Sequence, residues 1–545
     1  MRCVLGTVLT LVLTGCGASV KIFEGPESDK MLRVQGDRIV NGAGQTVWLR
    51  GVAFGNQVWN DVPVPTTHHA KVDYGRVAAM GMNTVRFYLN YVTFEDDEAP
   101  GEYKSEGWQW LDRNVEWAKK HGIYLVLNMH VPPGGFQSGN RGKALWDEPL
   151  NRERLIRLWQ AIAERYRDEP AIAGYDLLNE PVVSRSREQW HALAAEMIPR
   201  IRKVDPYHIL FVERVNAVDG DWTEDDRRNF FLVDDPNVVY EFHFYKPFHF
   251  THQSASWVEF AAKETSWPDP NRVGIEWFLT DFAVGSYANP KLTAGDSDWT
   301  YYEGAPFKVH EPPYVLAKPA LVCDRNSGKA YFDDLVLEKI GSDGKTETMW
   351  EYNPTTSRGW YFWTENGEGN YDLGRTGHGD RTALFIEKTT SQASLSADIH
   401  MFRPEQGVSY KLSGWMKGER IPPEANCQVR LDFLTAKAPI HSWDKAFLKA
   451  ELDAYLAFGK ENHVPLFLGE WGTIVSSFKE GRGGLRWVED MLDLIGESRL
   501  HFIYHDYHES NFGIYYGDST LPDPESANTP LIELFTEWLS ETPPE

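Results

Sequence analysis

Apolar positions along this chain follow two periods, and the rhythm breaks in the middle. From about residue 74 to 245, and again from 445 to 539, segments at helical spacing alternate with short apolar runs of strand length. The clearest helix is 152–167, where Leu155, Ile156, Leu158, Trp159, Ile162 and Ala163 cluster at helical spacing. Further helices are predicted near 74–80, 108–120, 190–202, 445–459, 485–495 and 531–539. Strands are predicted at 84–88, 124–130, 209–212, 238–245, 465–469 and 502–507, with another ending at Glu180. Ahead of them, 33–40 reads as a hairpin arm turning through Asn41-Gly42-Ala43-Gly44 into a strand over 47–54. The strand count across both segments is eight, the number for a closed parallel (β/α)8 barrel. An open doubly wound sheet would carry a glycine-rich turn after its first strand. Gly51-Val52-Ala53-Phe54-Gly55 is not that turn.

Between about 270 and 435 no long amphipathic stretch occurs, only short β-rich runs split by Gly, Asp and Asn. The expected organisation is therefore a barrel over 17–269 and 439–545, with an all-β sandwich over 270–438 inserted between barrel strands 6 and 7. Residues 1–15 are set apart as a signal segment.

Strand phase picks out the candidate chemistry, because side chains alternate faces along a strand. Two apolar runs end in a glutamate: Asp176-Leu177-Leu178-Asn179-Glu180-Pro181 and Leu466-Phe467-Leu468-Gly469-Glu470-Trp471-Gly472. A carboxylate at a strand mouth is costly unless solvated, paired or used. Two brought together supply the acid and the nucleophile of glycoside cleavage. Arg86 shares a face with Thr84 and Tyr88, against Val85 and Phe87. His243 and Tyr245 lie opposite Phe242 and Phe244, and His130 lies opposite Leu127 and Met129. Each alone reads more readily as a satisfied structural polar group. Their convergence at the ends of separate strands does not.

With these residues in place, the chain resembles glycoside hydrolase family 5, the cellulase-like retaining barrel glycosidases. The resemblance covers about 32–265 and 440–540. It rests on Leu49-Arg50-Gly51-Val52, Asn83-Thr84-Val85-Arg86, Asn128-Met129-His130, Asn179-Glu180-Pro181, His243-Phe244-Tyr245 and Gly469-Glu470-Trp471-Gly472. It implies Glu180 as acid/base and Glu470 as nucleophile, needing no cofactor and no metal. Arg86 and Tyr245 would bond the nucleophile and Asn179 the sugar 2-hydroxyl, while His130 and His243 would shape the subsite. Glu180 is expected to hold its proton through burial and the neighbouring negative Glu470. The family's usual tryptophan at the end of strand 8 is missing. Phe502-Ile503-Tyr504-His505-Asp506-Tyr507-His508 stands there, so Tyr504, His505 or Tyr507, or else Trp471, is expected to serve as the sugar platform.

Pieces of the insert look like a carbohydrate-binding jelly roll. The Phe332-Asp333-Asp334 strand precedes the Gly407-Val408-Ser409-Tyr410-Lys411-Leu412 strand, the reverse of the usual order, which implies a circularly permuted sandwich. Trp360, Trp363 and Trp415 are candidate stacking residues. The formal charge of -24 argues against nucleic acid as a partner. The first residues form a short basic start, an apolar run too short for a stable span, and Leu13-Thr14-Gly15-Cys16, which resembles a bacterial lipoprotein signal. Cys16 would carry the lipid, tethering a monomeric protein to the cell envelope outside the cytoplasm. Cys323 and Cys427 remain, at positions from which sequence cannot give a distance. The expected activity is a retaining β-glycosidase on a β-linked glucan or related oligo- or polysaccharide. The alternatives are a mannan- or glycoconjugate-specific enzyme of the same fold, and a sugar-binding lipoprotein with an inactive barrel.

Overall fold

Eight parallel strands close into a barrel in chain order: β1 (Arg50–Phe54), β2 (Thr84–Asn90), β3 (Tyr124–Val131), β4 (Ile172–Asp176), β5 (Ile209–Glu213), β6 (Val238–Phe244), β7 (Leu466–Trp471) and β8 (His501–Tyr504). The computed structural model describes residues 30–541, apart from 61, 140, 220–228, 259–264, 274–279, 311–313, 342, 356–359, 397–399 and 437–440. The signal segment and Cys16 lie outside the described residues.

Among the described residues, seven longer helices surround the strands: α1 (Lys71–Ala79), α2 (Ser105–Lys120), α3 (Pro149–Tyr166), α4 (Glu188–Arg202), α5 (Lys445–Asn462), α6 (Gly484–Ser498) and α7 (Thr529–Glu541). Each buries the face that its sequence period assigns. In α3, Leu155, Ile156, Leu158, Trp159, Ile162 and Ala163 are buried, and Pro149 opens the helix where a missing N–H is harmless. Asp444 caps α5 by accepting from the Phe447 N–H at 3.0 Å.

Two apolar layers result. The outer one packs helices on strands, as where Phe87 meets Trp110 and Phe242 stacks on Tyr455. The inner one contains Val126, Ala173, Phe211, Val239, Phe467 and Ile503, together with Leu32 and Ile39. Those last two belong to a small hairpin, Arg33–Gln35 with Arg38–Val40, whose Val34 N–H donates to the Asn237 side chain at 2.8 Å. The sequence reading put the turn at Asn41–Gly44. The chain turns first at Gly36, where φ is +64°, and again at Asn41–Gly44, where the Asn41 N–H donates to Gln45 O and the Val47 N–H to Ile39 O, both at 2.9 Å, beside a Val40–Thr46 bridge. The earlier turn lets both Leu32 and Ile39 be buried.

The insert is two antiparallel sheets around their own core. One has the order Thr280–Gly285, Asn426–Ala436, Leu316–Asp324, Ala393–Ser396, Tyr361–Thr364. The other runs Gly295–Tyr302, Ser409–Ile421, Lys329–Ile340, Ala383–Glu387, Asn370–Gly374, with Phe307–Lys308 and Thr346–Tyr352 added. Strands Lys329–Ile340 and Ser409–Ile421, read as out of their usual order, are direct neighbours. A Cys323–Cys427 disulfide joins register partners on adjacent strands. Trp360 is buried in this core and its indole N–H donates to the Tyr352 hydroxyl, so it is no stacking platform. The entry strand Asp269–Val273 and the exit strand Ser442–Trp443 pair antiparallel as a stem, and Trp443 packs into the barrel's outer core.

Candidate active site

Arg86 is the centre of the constellation. It sits on the inner face of β2 with no exposed surface. A buried guanidinium is tolerated only when its donors are matched. Its Nε donates to Asp176 Oδ2 at 2.8 Å and its Nη1 to Glu470 Oε1 at 2.7 Å. Its Nη2 donates to Asn179 Oδ1 at 3.0 Å and lies 3.1 Å from Glu241 Oε1. Asp176 also accepts from Asn128 at 2.7 Å, and the Asn128 carbonyl meets His130 Nδ1 at 3.0 Å.

Glu470 reaches this centre through a break in β7. Phe467 faces inward and Leu468 outward, so strict alternation would turn Gly469 in and Glu470 out. The register with β6 slips here, pairing Phe242 with Leu468 but His243 with Glu470, so Gly469 is the extra residue of a bulge. Only glycine fits: a Cβ at 469 would lie 1.6 Å from Glu241 Oε1. The carboxylate then accepts from the Tyr88 hydroxyl at 2.6 Å on Oε1 and from the Tyr245 hydroxyl at 3.0 Å on Oε2.

Glu180 lies just beyond β4 with a left-handed backbone, φ +42°. Its N–H donates to Glu213 Oε2 at 2.6 Å, and Glu213 Oε1 accepts from Asn216 at 2.7 Å. His243 links the two sides. Its Nδ1 is 2.9 Å from Glu180 Oε1 and 3.5 Å from Glu470 Oε2. One ligand atom from each of Glu180, His243 and Glu470 can be chosen so that all lie within 4.8 Å of one another.

Electrostatics divides these groups by role. Burial pushes the Glu470 carboxyl up, but His243, His505 and Arg86 together hold it well below the usual range, so it is ionised. Burial opposes charge on His243, yet Glu213 and Glu470 raise it well above 6.5 and it carries a proton. His130 is driven far below its ordinary value by burial and stays neutral. Asp176 and Glu213 are raised above the usual carboxylate range, by burial first.

Of the residues picked from sequence, Arg86, His130, Asn179, Glu180, His243, Tyr245 and Glu470 come together here. His505 also arrives, its Nδ1 3.1 Å from the Tyr88 hydroxyl. Trp471 and Tyr504 do not. The bulge that turns Glu470 inward turns Trp471 outward onto Trp487 and Phe535, and Tyr504 packs on Phe535 and Trp471. Both are fully buried between barrel and helices, so neither is a sugar platform. Tyr507 is likewise buried, donating to Asp73 at 2.6 Å. Tyr88, Glu213 and Glu241 were missed as site residues. Two had a signal: Tyr88 shares the face of Arg86, and Ile209-Leu210-Phe211-Val212-Glu213 is a third apolar run ending in glutamate.

Comparison with known proteins bears on the same residues. The family model Cellulase (glycosyl hydrolase family 5) matches residues 40–304. Endoglucanase C of Acetivibrio thermocellus is 36% identical over 189 residues, covering 35% of this chain and 54% of that protein. Cellodextrinase A of Ruminococcus flavefaciens is 30% identical over 188 residues, 34% of this chain and 54% of that one. A β-xylosidase of Phanerodontia chrysosporium is 38% identical over 141 residues, 25% and 29% of the two chains. The chain spans about half the length of the first of these relatives. The family model is matched across β1 to β6 of the barrel closed in chain order, and over that part of its length the chain is similar to glycosyl hydrolase family 5.

Proposed function

We propose that the protein is a retaining O-glycosyl hydrolase acting on a β-linked glucan or a related oligosaccharide. The observation that carries this reading is the short gap between the Glu180 and Glu470 carboxylates, with an oxygen of each inside the 4.8 Å cluster. A retaining pair stands ~5–5.5 Å apart, whereas an inverting pair needs ~6.5–9.5 Å to admit water between them. In the first step a Glu470 oxygen attacks the anomeric carbon as the glycosidic C–O bond breaks. The leaving oxygen takes a proton from Glu180, whose Oε1 stands 2.9 Å from His243 Nδ1. In the second, water attacks the same carbon, its proton passes to Glu180, and the electron pair of the ester bond returns to Glu470. Asn179, whose Oδ1 accepts from Arg86 at 3.0 Å, would bond the sugar 2-hydroxyl.

The test is product NMR together with two substitutions. The first-formed anomer should keep the β configuration. Glu470→Gln should lose turnover. Glu180→Gln should lose about 10²–10⁴-fold on substrates with poor leaving groups and far less on dinitrophenyl glycosides. Inverted product, or wild-type rates in folded Glu470→Gln, would refute the assignment. The names of the relatives motivate a panel of cellodextrins, β-glucans, xylo-oligosaccharides and mannans to find the sugar.

Two further parts of the reading rest on other features. The Leu13-Thr14-Gly15-Cys16 sequence supports lipid attachment at Cys16 and a place in a bacterial envelope. Metabolic labelling with a palmitate analogue should mark the wild type and not Cys16→Ser. Sugar binding by the sandwich is supported by Tyr361 and Trp363, exposed two residues apart on one strand, and by Trp415, whose ring lies 5.8 Å from that of Tyr301. Retardation in polysaccharide-containing gels should fall in Trp363→Ala or Trp415→Ala.

A further inference from the structure

The two oxygens of Glu470 are held unequally. Oε1 accepts the two shortest bonds, from Arg86 at 2.7 Å and Tyr88 at 2.6 Å. Oε2 accepts the longer bond from Tyr245 at 3.0 Å and lies toward His243, and so toward Glu180. The oxygen facing the acid/base is the one placed to attack, which makes Oε1 the carbonyl oxygen of the glycosyl ester.

Tyr88 is bound as a fixed donor to that oxygen. Its hydroxyl has one hydrogen, and the short contact to an ionised carboxylate claims it. Its other contacts must then donate to it: Arg86 Nη1 at 3.3 Å and His505 Nδ1 at 3.1 Å. The ring has no exposed surface and stacks on His130, with centroids 4.0 Å apart and planes 17° apart. His505 is the strand-8 residue standing where sequence reading expected a sugar platform. The structure ties it instead to the nucleophile, through Tyr88.

We propose that Tyr88 is a catalytic residue that serves mainly the second step, and that His505 is a positioning residue acting through it. This rests on the retaining reading above. During glycosylation Glu470 gives up negative charge to a bond, so a donor on Oε1 gains nothing in the transition state. During deglycosylation the C1–Oε2 bond breaks, its electron pair returns to the carboxylate, and the Tyr88 bond strengthens as charge reappears on Oε1. A donor that strengthens toward a transition state accelerates that step alone. His505 Nδ1–H, by occupying a lone pair of the Tyr88 oxygen, keeps the hydroxyl hydrogen aimed at Glu470.

The experiment uses the full chain and 2,4-dinitrophenyl β-cellobioside, whose good leaving group makes the second step limiting. Tyr88→Phe should lower kcat about 10- to 100-fold, the worth of a hydrogen bond to a charged group. KM should fall with it, leaving kcat/KM within about threefold, and a burst of dinitrophenol should appear in pre-steady-state traces. His505→Leu should lower kcat about 3- to 10-fold in the same pattern. His505→Asn, which offers an amide N–H near the Nδ1 position, should restore most of that loss. In the Tyr88→Phe background the His505→Leu change should cost clearly less than in the wild type, leaving only its direct charge effect on Glu470. Equal losses in kcat and kcat/KM for Tyr88→Phe, or additive losses in the double variant, would overturn the proposal while leaving the retaining reading intact. Inverted product or an active Glu470→Gln would overturn both. Should Tyr88→Phe fail to fold, the His505→Leu and His505→Asn pair decides: loss of kcat/KM in step with kcat, or no rescue, counts against the relay.

Discussion

Single residues set the chemistry, and some cannot be read from a strand pattern. Gly469 is the clearest case, since the space it leaves is filled by Glu241. Gly469→Ala should cost at least about 1–3 kcal/mol, the range for overpacking a core, and should cut activity by shifting Glu241 against Arg86. Urea unfolding and kcat/KM would show both losses together. The bulge at that glycine also explains why Trp471 was misplaced: alternation is readable from sequence, but an extra residue that shifts its phase is not. His243 and Glu470 lend opposite pH dependence. The histidine is held protonated above its ordinary 6.5, so its contribution is complete below that value and disappears as pH rises through the raised one. The carboxylate is held below its ordinary 4.5, so its contribution is present above 4.5 and fades on acidification through the depressed value. Unfolding free energy should therefore fall at alkaline pH less steeply in His243→Asn than in the wild type. An identical alkaline slope in the two proteins would contradict the assignment.

At the level of elements, the helices were legible because each has one apolar face, and the barrel strands because they are short apolar runs set between those helices. In the sandwich the strands were legible but not their partners, since pairing there is non-local. Cys323 and Cys427 illustrate this, lying 104 residues apart in sequence and directly opposite in register. Closing so long a loop restricts the unfolded chain, and its removal typically costs about 2–4 kcal/mol. Cys323→Ser with Cys427→Ser should lower the sandwich's unfolding transition in calorimetry while hydrolysis of small aryl glycosides is unchanged. A joint fall in both would mean that sandwich and barrel unfold as one unit. At the first hairpin both turn signals are used: the turn at Asn41-Gly42 is legible in the sequence, and the one before it at Gly36-Asp37, which pairs Arg33–Gln35 with Arg38–Val40, is not.

For the whole molecule, the stem decides how the insert can be tested. Val273 and Ser442 are register partners, so a two-residue Asn-Gly turn can replace residues 274–441 without parting the strands. The shortened protein should fold and should hydrolyse small aryl glycosides at near wild-type kcat/KM. Its KM on long polysaccharides should rise several-fold, if the sandwich raises the local concentration of chain. Equal kinetics on both substrate classes would show the sandwich to be a bystander to catalysis.

The same insertion has a consequence in time. On the ribosome β1 to β6 emerge first, then the whole sandwich, and only afterwards β7 with the nucleophile and β8, which pairs with β1. At ordinary synthesis rates that interval is roughly 10–30 s. A sheet formed in that interval from those six strands alone would have two unpaired edges, β1 and β6, the kind of surface that recruits foreign strands. The barrel's vulnerability to misassembly is thus set by the length of a domain that contributes no strand to it.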